Sequence, residues 1–161
     1  MAGTGFLRQG FTVNWVHVHL AVNHLPVVGI PLVLAILVFG GLRRNEDILR
    51  LAVGLLALLA LATVGVKYTG DFAVPQLDGR FVSLKGPISQ HEQAGEQATT
   101  AVFLLGLAAG ISWIRTRPDR PTSTPLLVLV FLLGVASTAL LIRTAWFGGV
   151  INHPELHPSG F

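Results

Sequence analysis

The chain contains no cysteine. That absence excludes disulfides, thiolate metal sites, iron–sulfur clusters and haem attached through a Cys-x-x-Cys-His motif. The single methionine is Met1, so a thioether copper(I) site has no ligands to draw on. Charge is scarce as well. Asp, Glu, Lys and Arg make up 12% of the 161 residues, against about 25% in soluble domains. Hydrophobic residues account for 52% and the mean hydropathy is +0.65. This balance points to a single integral membrane domain in a lipid bilayer. The formal net charge of +3 does not signal nucleic acid, because the basic residues flank hydrophobic runs and are explained by orientation in the bilayer. Met1 to Asn14 lacks the basic start and short apolar core of a cleavable signal peptide.

What is present is a set of four apolar runs. A membrane helix needs about 20 mostly apolar residues, and the runs predict helices over about 15–42, 48–68, 90–114 and 125–146. The connections after the first and third runs are short, which makes an antiparallel up-down-up-down four-helix bundle, an all-α membrane fold, the economical architecture. One connection holds Arg43 and Arg44, with Arg50 just inside the next run. The other holds Arg115, Arg117 and Arg120, interrupted by Pro118 and Pro121. These six of the eleven Lys and Arg residues predict a cytoplasmic face. Both termini, the 70–89 loop and the 147–161 tail then lie on the outer, periplasmic side of a bacterial inner membrane. Trp15, Tyr68 and Trp146 fall at the outer ends and Trp113 at the inner end, as an aromatic belt requires. The 70–89 loop carries Pro75, Gly79, Gly86 and Pro87 and reads as an irregular cap. Glycines and alanines within the runs allow close helix approach. No internal repeat is visible.

Polar and ionisable groups at membrane depth are expensive and by default functional. All six histidines, His17, His19, His24, His91, His153 and His157, lie on the predicted outer side. At about 100° per residue, His17 and His24 share a helix face roughly 10 Å apart, whereas His19 and His24 diverge by about 140°. The histidines of the first run therefore need partners from other helices. Pro26 removes a donor and frees the Val22 carbonyl, predicting a kink just below His24. In the third run the face of His91 continues through Ala94, Gly95, Ala98, Thr99 and Val102. Small residues there suit either a flat, wide group such as bis-histidine haem b or a close helix seam. Glu92 and Glu96 share one face and, with a histidine, offer an alternative non-haem site for iron, manganese or zinc. The Glu-x-x-His pattern of di-iron bundles is absent. Glu96 is also a candidate proton relay to a quinone, or a partner for Lys67 or Arg143. Asp71 is a further relay candidate or a helix-end carboxylate. The Gly148-Gly149 pair is read as turning the chain and folding His153 over the mouth of the bundle.

These motifs carry a family resemblance. The chain resembles a bacterial four-helix inner-membrane family designated domain of unknown function 2231, whose members often occur with periplasmic cytochrome c domains. The family pattern of two histidines and a proline opening the first helix is matched by His19, His24 and Pro26. A Thr-Gly pair ending the second helix is matched by Thr69-Gly70. The histidine opening the third is matched by His91, and the Gly-Gly and histidine after the fourth by Gly148, Gly149 and His153. Leu20 and Pro154 depart from the pattern, which carries a proline after its first histidine and a glycine after its last. The resemblance implies a redox-associated membrane protein binding one or two haem b groups. His24 and His91 are then the first expected axial ligands, with His19 and His153 as a second pair. The expected role is an electron-transfer subunit of a larger complex, working with quinone or partner subunits and a periplasmic carrier such as cytochrome c. The alternatives are a non-haem metal protein for transport or sensing, using His24, His91, Glu92 and Glu96, and a structural anchor in a respiratory or photosynthetic complex.

Overall fold

The computed structural model describes residues 13–116 and 121–153. Arg117, Pro118, Arg120, Pro154 and His157 lie outside the described residues. The described chain is all-helical: α1 (Trp15–Val22), α2 (His24–Arg43), α3 (Glu46–Ala73), a 3-10 helix (Val74–Arg80), α4 (Phe81–Arg115) and α5 (Thr124–Asn152). Four helical stretches are long and apolar enough to cross a membrane: Trp15–Arg43, Glu46–Leu77, Lys85–Arg115 and Thr124–Ile151, with mean hydropathies of 2.5, 2.3, 1.5 and 2.6. Their outward faces carry large apolar side chains such as Leu32, Leu58, Leu61 and Leu132. In water such a surface would drive aggregation, whereas in lipid it is ordinary solvation.

α1 and α2 form one span interrupted at Asn23. Pro26 is the third residue of α2, where its missing N–H is an orphan in any helix, so the proline is accommodated without losing a bond. The turn into α3 is built by Arg44 in the left-handed region (φ 51°) and by Asn45, whose side chain accepts from Ile48 N at 3.0 Å. At the same end Glu46 Oε2 accepts from Thr122 N (2.9 Å) and Thr122 Oγ1 (2.6 Å), tying the two short connections together.

Two expected boundaries move. The 70–89 segment is helical for most of its length rather than irregular: α3 runs to Ala73, the 3-10 helix follows, and α4 begins at Phe81. Pro87 sits in the second turn of α4, where it forfeits one hydrogen bond without ending the helix. Likewise α5 continues through Gly148 and Gly149 to Asn152, so these glycines do not turn the chain.

Lipid offers no hydrophobic drive for helix association, so close packing has to hold the bundle. The core is a continuous set of side chains including Ile30, Leu34, Leu56, Val102, Leu105 and Val130. Gly106 on α4 faces Ala60 on α3, and a Cβ there would come within 2.5 Å of the Ala60 Cβ. Gly134 on α5 faces Leu34 on α2 in the same way, also at 2.5 Å. Ala60 has no flexible end to move aside. Gly106→Ala is therefore expected to separate α3 from α4 and cost about 1–3 kcal/mol, read as a lowered thermal midpoint in detergent. Gly65→Ala, with nothing within 4 Å of its Cβ, is expected to leave the midpoint unchanged or raise it.

Candidate functional site

The end of the bundle opposite Arg43, Arg44, Arg50 and Arg115 gathers two histidines from different helices. α1 is held in place at its start. Asn14 Oδ1 accepts from His17 N at 3.1 Å. Gln76 accepts from Trp15 N at 2.7 Å and donates to the Val13 carbonyl at 3.0 Å. The Trp15 and Phe72 rings meet with centroids 5.0 Å apart. So fixed, α1 lies along the last turns of α3 and sets His19 against Val66, Thr69 and Gly70.

His19 Nδ1 lies 3.2 Å from the Val66 carbonyl oxygen and 3.1 Å from Thr69 Oγ1. The Thr69 hydroxyl donates its own proton to that carbonyl at 2.7 Å. Both oxygens can then only accept, so Nδ1 carries the ring proton. His91, on α4, donates from Nδ1 to the Thr144 carbonyl of α5 at 2.9 Å. In each neutral ring Nε2 is left as the lone-pair nitrogen.

A glycine completes each seat. Gly70 lies four residues after Val66, and Gly148 four after Thr144. A Cβ on Gly70 would stand 3.1 Å from His19 Cε1, and one on Gly148 3.1 Å from His91 Cε1. In a helix the N–H of residue i+4 bonds the carbonyl of residue i. Each imidazole thus shares a carbonyl already used within a helix, and the missing side chain four residues on is what lets it approach. The two half-sites are built alike, one by the α1/α3 pair and one by the α4/α5 pair. No repeat of sequence marks them.

The two rings face each other, with centroids 6.2 Å apart and planes at 84°. That is an edge-to-face contact between half-buried imidazoles. Two imidazoles this close, each with Nδ1 engaged, would be the residues to hold a shared metal through Nε2.

The remaining candidates lie elsewhere. His24 is exposed, and its Nδ1 donates to the Leu20 carbonyl of its own span at 2.8 Å. The structure brings His91 to His19, not to His24. His153 is exposed at the end of α5, where its N–H bonds the Gly149 carbonyl at 2.9 Å, and His17 is exposed. Glu92 and Glu96 point outward from α4. Lys67 pairs with Asp71 (3.1 Å) and Arg143 donates to Gln97 Oε1 (2.7 Å), so neither basic group is taken up by Glu96. The stripe below His91 is a close seam: Ala94, Ala98 and Val102 are buried, and a Cβ on Gly95 would meet Thr144 at an ordinary 3.8 Å. Sequence reasoning assigned no role to Val66 or Thr144, because they act through carbonyls that every residue possesses. Gly148 offered a signal, a small residue in an apolar run, but it read as a turn.

Compared with family models, curated proteins and solved structures, the chain matches none.

The donor set fits a metal or haem iron taken between two imidazoles. Ligating histidines almost always donate their other ring N–H to a carbonyl or carboxylate, which fixes tautomer and orientation. Both His19 and His91 are already held that way. Nitrogen spectra of the cofactor-free protein labelled with ¹⁵N-histidine are expected to show His19 and His91 protonated at Nδ1 and bare at Nε2. The opposite tautomer in either ring would contradict the geometry.

Proposed function

We propose that this chain is an electron-transfer subunit of a bacterial inner membrane, in which His19 and His91 hold one haem b non-covalently near the periplasmic face. The observation that carries the reading is the pair of facing imidazoles with Nδ1 engaged and Nε2 free. When bound, haem supplies reversible one-electron chemistry. The chain's own residues do the rest. The Val66 and Thr144 carbonyls orient the imidazoles by accepting from Nδ1, and Gly70 and Gly148 let them sit close to the helix backbones. His19 and His91 would both serve as protein ligands to the iron, which would suit electron transfer rather than binding of a gas or substrate. Periplasmic placement rests on the basic residues at the other end. The family resemblance supplies the remaining expectation, a redox complex with quinone or partner subunits on one side and a carrier such as cytochrome c on the other.

The non-haem reading has less to draw on. Glu92 and Glu96 are exposed, and among the described residues no three His, Asp or Glu side chains gather at one point.

The purified protein is expected to show a Soret band that shifts on reduction with dithionite. His19→Ala and His91→Ala should each lower haem content about tenfold or more, and His24→Ala should leave it near wild type. A protein without a Soret band that carries another metal at full occupancy would sink the haem assignment. Equal loss in all three variants would sink the assignment of the pair.

A further inference from the structure

We propose that the α3–α4 seam at the basic end of the bundle binds the phosphate of an anionic phospholipid headgroup, through the Arg50 guanidinium and the Trp113 indole. The site is separate from the histidine pair and independent of its role. The Arg50 guanidinium carbon stands 5.6 Å from the centre of the Trp113 ring, on a neighbouring helix. The indole comes that close because residue 54, one turn after Arg50, is glycine: a Cβ there would lie 3.0 Å from both Cδ1 and Nε1 of Trp113. The arginine is thus positioned by an inter-helix aromatic face that α3 is notched to receive.

Stacking over an aromatic ring engages the face of a guanidinium and leaves its N–H edge to fork a phosphate. Among the described residues no hydrogen bond or ion pair takes up that edge. Arg50 is exposed, and the ion pair found among the described residues is Lys67–Asp71, at the other end. Of the acids close to Arg50 on α3, Glu46 accepts from Thr122, and Asp47 lies beyond ion-pair distance. No hydrogen bond within the described residues takes the indole N–H of Trp113, which adds a second donor suited to headgroup oxygens. Arg44 and Arg115, both exposed, raise the positive potential around the site. One turn beyond Gly54, the exposed Leu58 continues the seam as an apolar track for an acyl chain. Arg43 also stacks, 5.4 Å from the Phe39 ring, but within one helix and on a ring that has no donor.

Native mass spectrometry of the full chain in detergent tests this, with dioleoylphosphatidylglycerol, dioleoylphosphatidylcholine and inorganic phosphate as separate probes. Phosphatidylglycerol is expected to bind more tightly than phosphatidylcholine. Arg50→Gln should lower that preference about fivefold, the effect of one basic residue at an anionic surface. Trp113→Leu should act in the same direction, and Arg44→Gln, which lowers the local potential but removes no ring-stacked donor, should reduce the preference by clearly less than Arg50→Gln. Circular dichroism verifies folding, and the exposed Arg50 variant alone decides the matter if Trp113→Leu does not fold. Equal affinity for the two lipids, or an equal loss in Arg44→Gln, would overturn the site. Inorganic phosphate bound with the same dependence on Arg50 would overturn the lipid as its occupant.

Discussion

Everything at the histidine end depends on one contact made twice: an imidazole Nδ1–H given to a main-chain carbonyl of a neighbouring helix. A carbonyl only accepts, so the contact fixes the tautomer as well as the position of the ring. At membrane depth it also satisfies a donor that lipid cannot. The cost of exposing a polar ring to hydrocarbon is avoided without adding a second charge. The glycine four residues after each acceptor makes the contact geometrically possible. Val66 with Gly70, and Thr144 with Gly148, are therefore better seen as two helix-surface features than as four separate residues.

The rest of the bundle keeps these features in register. α1 reaches His19 to α3 only because Gln76 and Phe72 hold its start. α4 and α5 are joined near the histidines by His91 on the Thr144 carbonyl, by Gly95 beside Thr144 and by Arg143 on Gln97. Gly106 against Ala60 and Gly134 against Leu34 bring the backbones of facing helices close, where dispersion and small-residue packing take over from the hydrophobic effect. At the opposite end Glu46 locks the two short connections together through Thr122. A change at any of these points would be felt at the rings as altered spacing.

Much of this was legible in the sequence, and the limits have physical causes. Four apolar runs, a scarcity of charge and two arginine-bearing connections pointed to the four helices, because hydrocarbon thickness sets helix length. The helix ends were less legible: hydropathy stops at Trp146, but α5 continues through Gly148, on which the His91 ring packs, and Gly149 to Asn152. His91 was expected opposite His24 and lies instead beside His19. Its neighbour His19 ranked below His24, because counting 100° per residue along one continuous helix says nothing about which neighbouring helix each face meets. The break at Asn23 divides that helix between the two histidines. The acceptors were invisible, since a carbonyl carries no sequence signature.

In the proposed function His19 and His91 act together on one iron. Pulsed electron paramagnetic resonance of the oxidised protein, grown with ¹⁵N-histidine, addresses it most directly. A low-spin ferric centre coupled to two directly bound histidine nitrogens is expected, with one coupling missing when His19 is replaced by methionine. A centre coupled to a single histidine, or one whose couplings survive that replacement, would contradict it.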